Sequence, residues 1–253
     1  METALYLIPT MLGETPANQV FPAFNHDIIL QIRHFIVEEE RTTRRFLKII
    51  DKSIDIDLLS FYPMGKHANP ALFRSYLKPL EDGQPMGIIS EAGCPAIADP
   101  GADIVAIAQE KGFRVIPLVG PSSILMALMG SGFNGQSFAF NGYLPIAENQ
   151  RASIIKKLEA RTYSEDQTQI FIETPYRNAQ ICKDFLNNCH PQTRLCIAAD
   201  ITCPNEFIHT RTIQEWKKTS LPDLHKTPAI FLIYRGGKDT HPAHSHKSYF
   251  LFY

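Results

Sequence analysis

The chain has no Gly-x-Gly-x-x-Gly run, so the phosphate-cradling first turn of dinucleotide-binding folds is not its route to a ligand. No apolar stretch approaches the roughly 20 residues that a membrane-spanning helix needs. The N-terminus, Met1-Glu2-Thr3-Ala4, lacks a basic region ahead of an apolar core, and no signal peptide is read there. Five cysteines are an odd number, and none form a Cys-x-x-Cys pair. This argues against a disulfide framework and against a zinc site. Cys182, Cys189, Cys196 and Cys203 fall seven apart, but Pro191 and Pro204 interrupt any helical seam. Buried free thiols in a reducing compartment are expected. A net charge of −1 excludes attraction of the whole molecule to nucleic acid,. No internal repeat is visible.

What is present fits a cytoplasmic α/β enzyme. The chain has 253 residues, 44% of them hydrophobic, enough for one large or two small domains,. Strands are predicted over Ala4–Pro9, Phe35–Glu38, Leu58–Tyr62, Met86–Ile89 and Arg114–Leu118. Helices are predicted over Asp27–His34, Arg41–Ile50, Asn69–Glu81 and Ala102–Lys111. Residues 12–25 hold Gly13, Pro16 and Pro22 and read mostly as loop. In Arg41–Ile50, the residues Phe46, Leu47, Ile49 and Ile50 are expected inward. Asn69 caps its helix, with Pro70 at the first position. These βαβ units imply a mainly parallel sheet. Past Val119, Ser122 or Ser123 caps a helix to Met129. Strands follow at Phe138–Phe140, Gln169–Glu173, Arg194–Ala199, Glu206–Arg211 and Ala229–Tyr234, with helices over Gln150–Ala160 and Arg177–Asn188. The short link between Arg194–Ala199 and Glu206–Arg211 predicts an antiparallel pair. The expected organisation is an N-terminal α/β domain over 1–119, a C-terminal α/β domain over 120–236 with a mixed sheet, and a tail over 237–253. The tail is expected to be disordered or to dock locally, and its His241, His244 and His246 are open to metal binding, although no metal is assigned to the protein.

The most informative stretch is Ser90-Glu91-Ala92-Gly93-Cys94-Pro95-Ala96-Ile97-Ala98-Asp99-Pro100-Gly101. It follows a short apolar strand, where open α/β sheets place ligands. Gly93 and Gly101 permit close backbone approach or positive φ, and Pro95 and Pro100 stiffen the path. Five further blocks stand in order along the chain: Leu5 to Thr10, Glu38 to Leu47, Val119 to Leu125, Gly142 to Pro145 and Phe171 to Arg177. Together the six blocks resemble the S-adenosylmethionine-dependent methyltransferases of the tetrapyrrole methylase superfamily, from about residue 5 to residue 236. The branch they are most similar to methylates the ribose 2′-OH of a cytidine in small-subunit ribosomal RNA.

The resemblance implies a two-domain fold with the cofactor, S-adenosylmethionine, in the cleft between domains. It implies contacts from Pro9, Glu91, Ala92, Gly93, Cys94, Ile97, Ser122, Ser123, Ala199 and Ala229. The residues themselves agree in part, because Ser122 and Ser123 begin a helix whose free N–H groups suit a carboxylate. A plain N-cap is the alternative. A ribose hydroxyl needs a base, and Glu40, Glu91 and Glu173 are candidates, as Arg41 and Arg177 are for phosphates. Each carboxylate is equally suited to an ion pair or a cap. The assigned set is Glu40, Arg41 and Glu91 for catalysis, and Arg41, Arg44, Glu173 and Arg177 for the substrate. Arg41, Arg44, Arg45 and Lys48 share a helical face. Arg151, Lys156, Lys157 and Arg161 form a second basic cluster, and Lys217 with Lys218 a third.

Two segments depart from the family pattern. The first is Leu12-Gly13-Glu14-Thr15-Pro16-Ala17-Asn18. The second is Ala198-Ala199-Asp200-Ile201-Thr202-Cys203, which has lost an Arg and a Lys. Both are expected on the acceptor side. The expected partner is ribosomal RNA or the small ribosomal subunit, with no membrane, and the family's habit implies a homodimer. The alternatives are a methyltransferase on a small or tetrapyrrole-like substrate, a non-catalytic binding protein, or a Rossmann-type methyltransferase using the acidic residues 38–40 as its ribose ligand.

Overall fold

The computed structural model describes residues 1–237; the expectation for the histidine-bearing tail lies outside the described residues. The strands are β1 (Leu5–Ile8), β2 (His34–Val37), β3 (Ser60–Pro63), β4 (Met86–Ile89), β5 (Val115–Pro117), β6 (Phe138–Phe140), β7 (Thr168–Glu173), β8 (Arg194–Ala199), β9 (Phe207–Thr212) and β10 (Ala229–Tyr234). The helices are α1 (Ala17–Val20), α2 (Ala23–Ile29), α3 (Glu40–Ile50), α4 (Phe73–Tyr76), α5 (Lys78–Glu81), α6 (Ala102–Glu110), α7 (Ser123–Ser131), α8 (Glu148–Ser164), α9 (Asn178–Asn188) and α10 (Ile213–Trp216).

Two five-stranded sheets result. The first runs β3-β2-β4-β1-β5, and all its pairings are parallel. The second runs β6-β7-β10-β8-β9; only β6 and β7 are parallel, and the other pairs are antiparallel. The expected hairpin appears as β8 and β9, with Ala199 opposite Phe207.

Both sheets are covered on both faces, so their strands read as apolar runs rather than as alternation. In β1, Tyr6 and Ile8 join Phe35, Phe46 and Leu47 under α2 and α3. Leu5 faces the other way, with Ile36, Met86, Leu77 and Ile104, under α4 to α6. In the second sheet, Phe171, Ile197 and Phe231 pack with Phe185 and Trp216 on one face. Ile170, Ala198 and Ile230 pack with α7 on the other. At about 25 cal/mol per Å² of apolar surface, these clusters are the main stabilising force.

Four local expectations change. Residues 12–25 contain α1 and the start of α2, each beginning just after a proline, Pro16 and Pro22, so the helix expected over Asp27–His34 begins at Ala23 and ends at Ile29, and His34 belongs to β2. A proline before the first turn costs no hydrogen bond there. The helix expected over Asn69–Glu81 is broken into a 3₁₀ turn (Pro70–Leu72), α4 and α5. Pro79 lacks the N–H that a continuous helix would need, and its ring crowds the preceding turn. Asn69 does cap, accepting from the Ala71 amide at 3.1 Å. In α3, Ile49 points outward, 52% exposed. Finally α10, absent from the sequence reading, is nucleated by a capping box between Thr212 and Glu215,. The seven-residue cysteine spacing falls on α9, its end, β8 and a loop, so it marks no seam.

Candidate active site

A cavity of about 260 Å³ opens between the two sheets. One wall is the loop after β4, with Ala92, Gly93, Cys94, Ile97, Ala98 and Asp99. The opposite wall comes from the second sheet and its loops, including Tyr143, Glu173, Thr174, Asp200 and Ala229, and Ser122 and Ser123 close one end. The sides are largely apolar, with Leu12, Ile124, Ile172, Ile201 and Ile230. The charged side chains on the wall are Asp99, Glu173 and Asp200, all acidic.

The loop is held open by unusual backbone. Gly93 has φ +72°, and Ala96 and Ala98 have φ of 66° and 61°. Non-glycine residues in this region cost roughly 1–3 kcal/mol each and cluster at ligand sites. Gly93 is pinned to the end of β1 by two backbone hydrogen bonds with Thr10, 2.9 and 3.2 Å long. Pro9 stands outside the cavity wall, packed against the backbone at Gly120, where a Cβ would lie 2.2 Å from its ring.

Beside the cavity lies a second depression of about 240 Å³, sharing Leu12 and Ala92 with it. Its wall includes Gly13, Thr42, Arg45, Phe46, Ser90 and Glu91. The segment 90–92 therefore separates the two spaces. The Glu91 carboxylate accepts from the Thr42 hydroxyl, and its amide donates to Glu38 Oε2 at 3.2 Å.

Of the expected cofactor contacts, Ala92, Gly93, Cys94, Ile97, Ser122, Ser123 and Ala229 line the cavity. Glu91 lines the second depression instead. Ala199 is buried in β8, and its neighbours Ala198 and Asp200 reach the wall. Ser122 caps α7, its hydroxyl accepting from the Leu125 amide at 3.5 Å. Glu40 lines neither space; it is tied to Arg44 by hydrogen bonds of 2.6 and 2.8 Å. Arg44 also lies over the Phe61 ring, 5.2 Å from its centre, so its guanidinium is occupied away from the depression. Arg41 is exposed one turn before Arg45. Glu173 is buried, and its Oε2 lies 3.3 Å from Arg177 Nη2 as an ion pair. That contact lacks hydrogen-bond geometry, and Oε2 has no hydrogen-bond partner. Arg177 also reaches the Pro145 carbonyl at 3.2 Å.

The sequence does not single out Asp99 or Tyr143, and it places Arg45 only in a basic helical face and Glu38 only in an acidic run. Asp99 and Tyr143 lie within the motif blocks, which is the signal the chain offers for them. Burial pushes the Asp99 carboxyl upward, and the charge of Glu91 adds to it. Burial likewise raises Glu38, against the Glu91 amide. Tyr143 is raised by burial and then by the charges of Asp99, Glu173 and Glu38. The second basic cluster is not one surface. Arg151 is buried and paired with buried Asp184, and it also donates to the carbonyls of Pro145 and Ile146. Among the described residues, no group of three or more His, Cys, Asp or Glu side chains is placed to hold a metal ion.

No family model matches the chain. It is 29% identical over 211 residues to ribosomal RNA small subunit methyltransferase I of Escherichia coli O157:H7, across 83% of this chain and 70% of that protein. The Vibrio cholerae protein of the same name is 28% identical over 93% of this chain and 78% of its own length. That of Neisseria meningitidis serogroup B is 35% identical, but over only 54% of this chain and 45% of that protein. So the chain spans less than half of one such relative and up to about three quarters of another. Among solved structures, the methyltransferase CobJ superposes with a TM-score of 0.60 at 12% identity, over 92% of this chain and 94% of that one. A uroporphyrin-III C-methyltransferase from Thermus thermophilus complexed with S-adenyl homocysteine gives a TM-score of 0.52 at 15% identity, over 91% of this chain and 97% of that one.

The two sheets with a cleft between them define the class, the tetrapyrrole methylase fold. The chain has this fold, and proteins similar to it in sequence are named ribosomal RNA small subunit methyltransferase I. No helix of the described residues is long and apolar enough to cross a membrane.

Proposed function

We propose that the protein is a cytoplasmic S-adenosylmethionine-dependent methyltransferase acting on a ribose 2′-OH in small-subunit ribosomal RNA. The observation that carries the reading is the cavity wall. Its charged side chains are Asp99, Glu173 and Asp200, and the rest is largely apolar. Such a wall suits a cationic ligand with an adenine ring. The Oε2 of Glu173 is ion-paired with Arg177 but accepts no hydrogen bond, which leaves a buried acceptor open to a ligand donor, and a buried polar atom lacking a hydrogen bond costs about 1–3 kcal/mol. The free N–H groups at the start of α7 suit a carboxylate.

The cofactor, when bound, supplies an electrophilic methyl group. The residues of the chain bind, orient and take the proton. Glu91 stands on the wall between the two spaces and is the base that receives the hydroxyl proton from an acceptor in the second depression,. Thr42 and Glu38 fix its orientation through the side chain and the amide. Arg45, with exposed Arg41, supplies charge for phosphates at that depression,. Holding the acceptor in line with the methyl group accounts for much of the rate. Residues 12–18 place only Leu12 on the wall of the main cavity, which stays open.

We read residues 1–119 and 120–236 as two domains that close on the ligand, and the protein as a homodimer. Leu125 and Met129, one turn apart on α7, are 49% and 83% exposed, which supports burial against a second copy,. Sedimentation analysis tests the dimer. The function is tested by counting methyl transfer from labelled S-adenosylmethionine to small ribosomal subunits. Transfer to the ribose is expected, and cofactor binding without transfer to RNA overturns the substrate.

A further inference from the structure

The edge strand β9 carries Phe207, His209 and Arg211 in alternation with Ile208 and Thr210. Ile208 and Thr210 face α7. Ile208 lies within 2.9 Å of where a Cβ on Gly130 would stand, and Thr210 donates to the Ser131 carbonyl at 2.8 Å. The period of two therefore puts Phe207, His209 and Arg211 on the other face. There the rings of Phe207 and His209 lie 4.4 Å apart, inclined at 37°. The Arg211 guanidinium lies over the Trp216 ring, 4.9 Å from its centre. Trp216 is buried, with its indole N–H donating to the Leu195 carbonyl at 2.9 Å, so Arg211 rests on a fixed support. With residues 219–222 these side chains line a shallow groove that shares no residue with the cleft. Lys217 and Lys218 are exposed just beyond α10. The nearby Glu215 carboxylate is committed to the amide and hydroxyl of Thr212.

We propose that this groove docks single-stranded RNA, an inference that rests on the RNA reading above. His209 and Arg211 offer two flat faces, about 6.6 Å apart along the strand. Aromatic and guanidinium planes of this kind stack bases, and flanking lysines track the phosphates. The apolar lining is already used, because Phe207 and Leu221 pack against the protein's own core. That leaves little dry surface for a protein partner. The groove also leads to the site: Phe207 pairs with Ala199, and the loop between them carries the cavity residues Asp200 and Ile201.

The test is anisotropy of a labelled single-stranded RNA oligonucleotide over a salt series, with calorimetry of S-adenosylmethionine in parallel. His209→Ala is expected to weaken RNA binding about tenfold. Lys217→Gln with Lys218→Gln is expected to lower the slope of log affinity against log salt by about 1.4. Cofactor binding should be unchanged in both, which shows that the fold survives. Wild-type RNA affinity and salt slope in both variants overturn the groove, while transfer to ribosomal subunits by the same proteins keeps the reading of the cleft. A wild-type chain that binds the cofactor, binds no oligonucleotide and transfers no methyl group to ribosomal subunits overturns both, whereas transfer without oligonucleotide binding overturns the groove alone.

Discussion

The hydroxyl of Thr42, in the first turn of α3, donates to the carboxylate of Glu91 in the loop after β4. This contact joins two motif blocks at the wall between the cavity and its neighbouring depression. If Glu91 is the base, Thr42 is a positioning residue for it. Glu91→Gln is expected to lower kcat at least about a hundredfold. Thr42→Val should lower kcat about tenfold with little change in KM, and Thr42→Ser should restore it. Steady-state methyl transfer reads all three, and a full rate in Glu91→Gln removes it from the mechanism.

Glu173, expected from the sequence at the substrate, is on the proposed reading a cofactor residue instead. Its Oε2 is buried and unpaired by hydrogen bonds, on the cavity wall. Glu173→Gln keeps the shape and removes the charge. The expected loss of S-adenosylmethionine affinity is about tenfold, or about 1.4 kcal/mol. Calorimetry measures it, and unchanged affinity excludes Glu173 from the site.

Asp99, on the cavity wall, is expected to make cofactor binding depend on pH. Burial holds its folded pKa above the ordinary value. The folded chain therefore keeps this proton longer than the unfolded one. Its contribution to stability falls as pH rises from about 3.9 through the folded value. A bound cation favours the ionised form, so affinity for S-adenosylmethionine rises with pH across that window. In Asp99→Asn the rise should flatten; titrations with equal slopes in the two proteins refute the assignment.

Arg151 and Asp184 form an ion pair with side chains 5% and 6% exposed. Removing one partner strands a buried charge. Asp184→Ala is expected to cost about 3–5 kcal/mol in urea unfolding. Arg151→Met with Asp184→Leu should cost much less, because neither charge remains. Equal losses would contradict this account.

The two segments that depart from the family pattern touch each other. Thr15 donates to the Thr202 carbonyl at 2.9 Å, and a Cβ on Gly13 would stand 2.5 Å from Cys203 Sγ. Gly13→Ala should therefore lower the melting temperature by several degrees, since about 1–3 kcal/mol is the usual cost of overpacking. Cys203→Ala in the same chain should recover most of it. A double variant no better than the single one shows that the clash is relieved elsewhere.

Much of this protein is legible along the chain. The bounds of β4, β6, β8 and β10 follow from short apolar runs between turn residues. Asn69 and Ser122 cap because their side chains serve the next few amides, a local matter,. The order of six motif blocks carries the fold and the class. The cavity-lining residues of the loop Ala92–Ile97 follow from position, because a loop at the carboxyl end of a central parallel strand faces the ligand.

What tertiary structure alone decided are the choices between chemically equal residues. Arg44 and Arg45 are neighbours in sequence. Packing turns one onto Glu40 and Phe61 and the other onto the second depression. Arg151 looks like a surface cation until α9 brings Asp184 against it. Glu40 and Glu91 are both plausible bases by composition; only folding gives one an arginine and the other a threonine at the mouth of the site. Periodicity and turn chemistry report a residue's near neighbours. Apart from the local pair of Glu40 with Arg44, the partners that set a side chain's charge, exposure and direction are distant in sequence, 33 positions for Arg151 with Asp184 and 187 for Thr15 with Thr202, and only the folded chain brings them together.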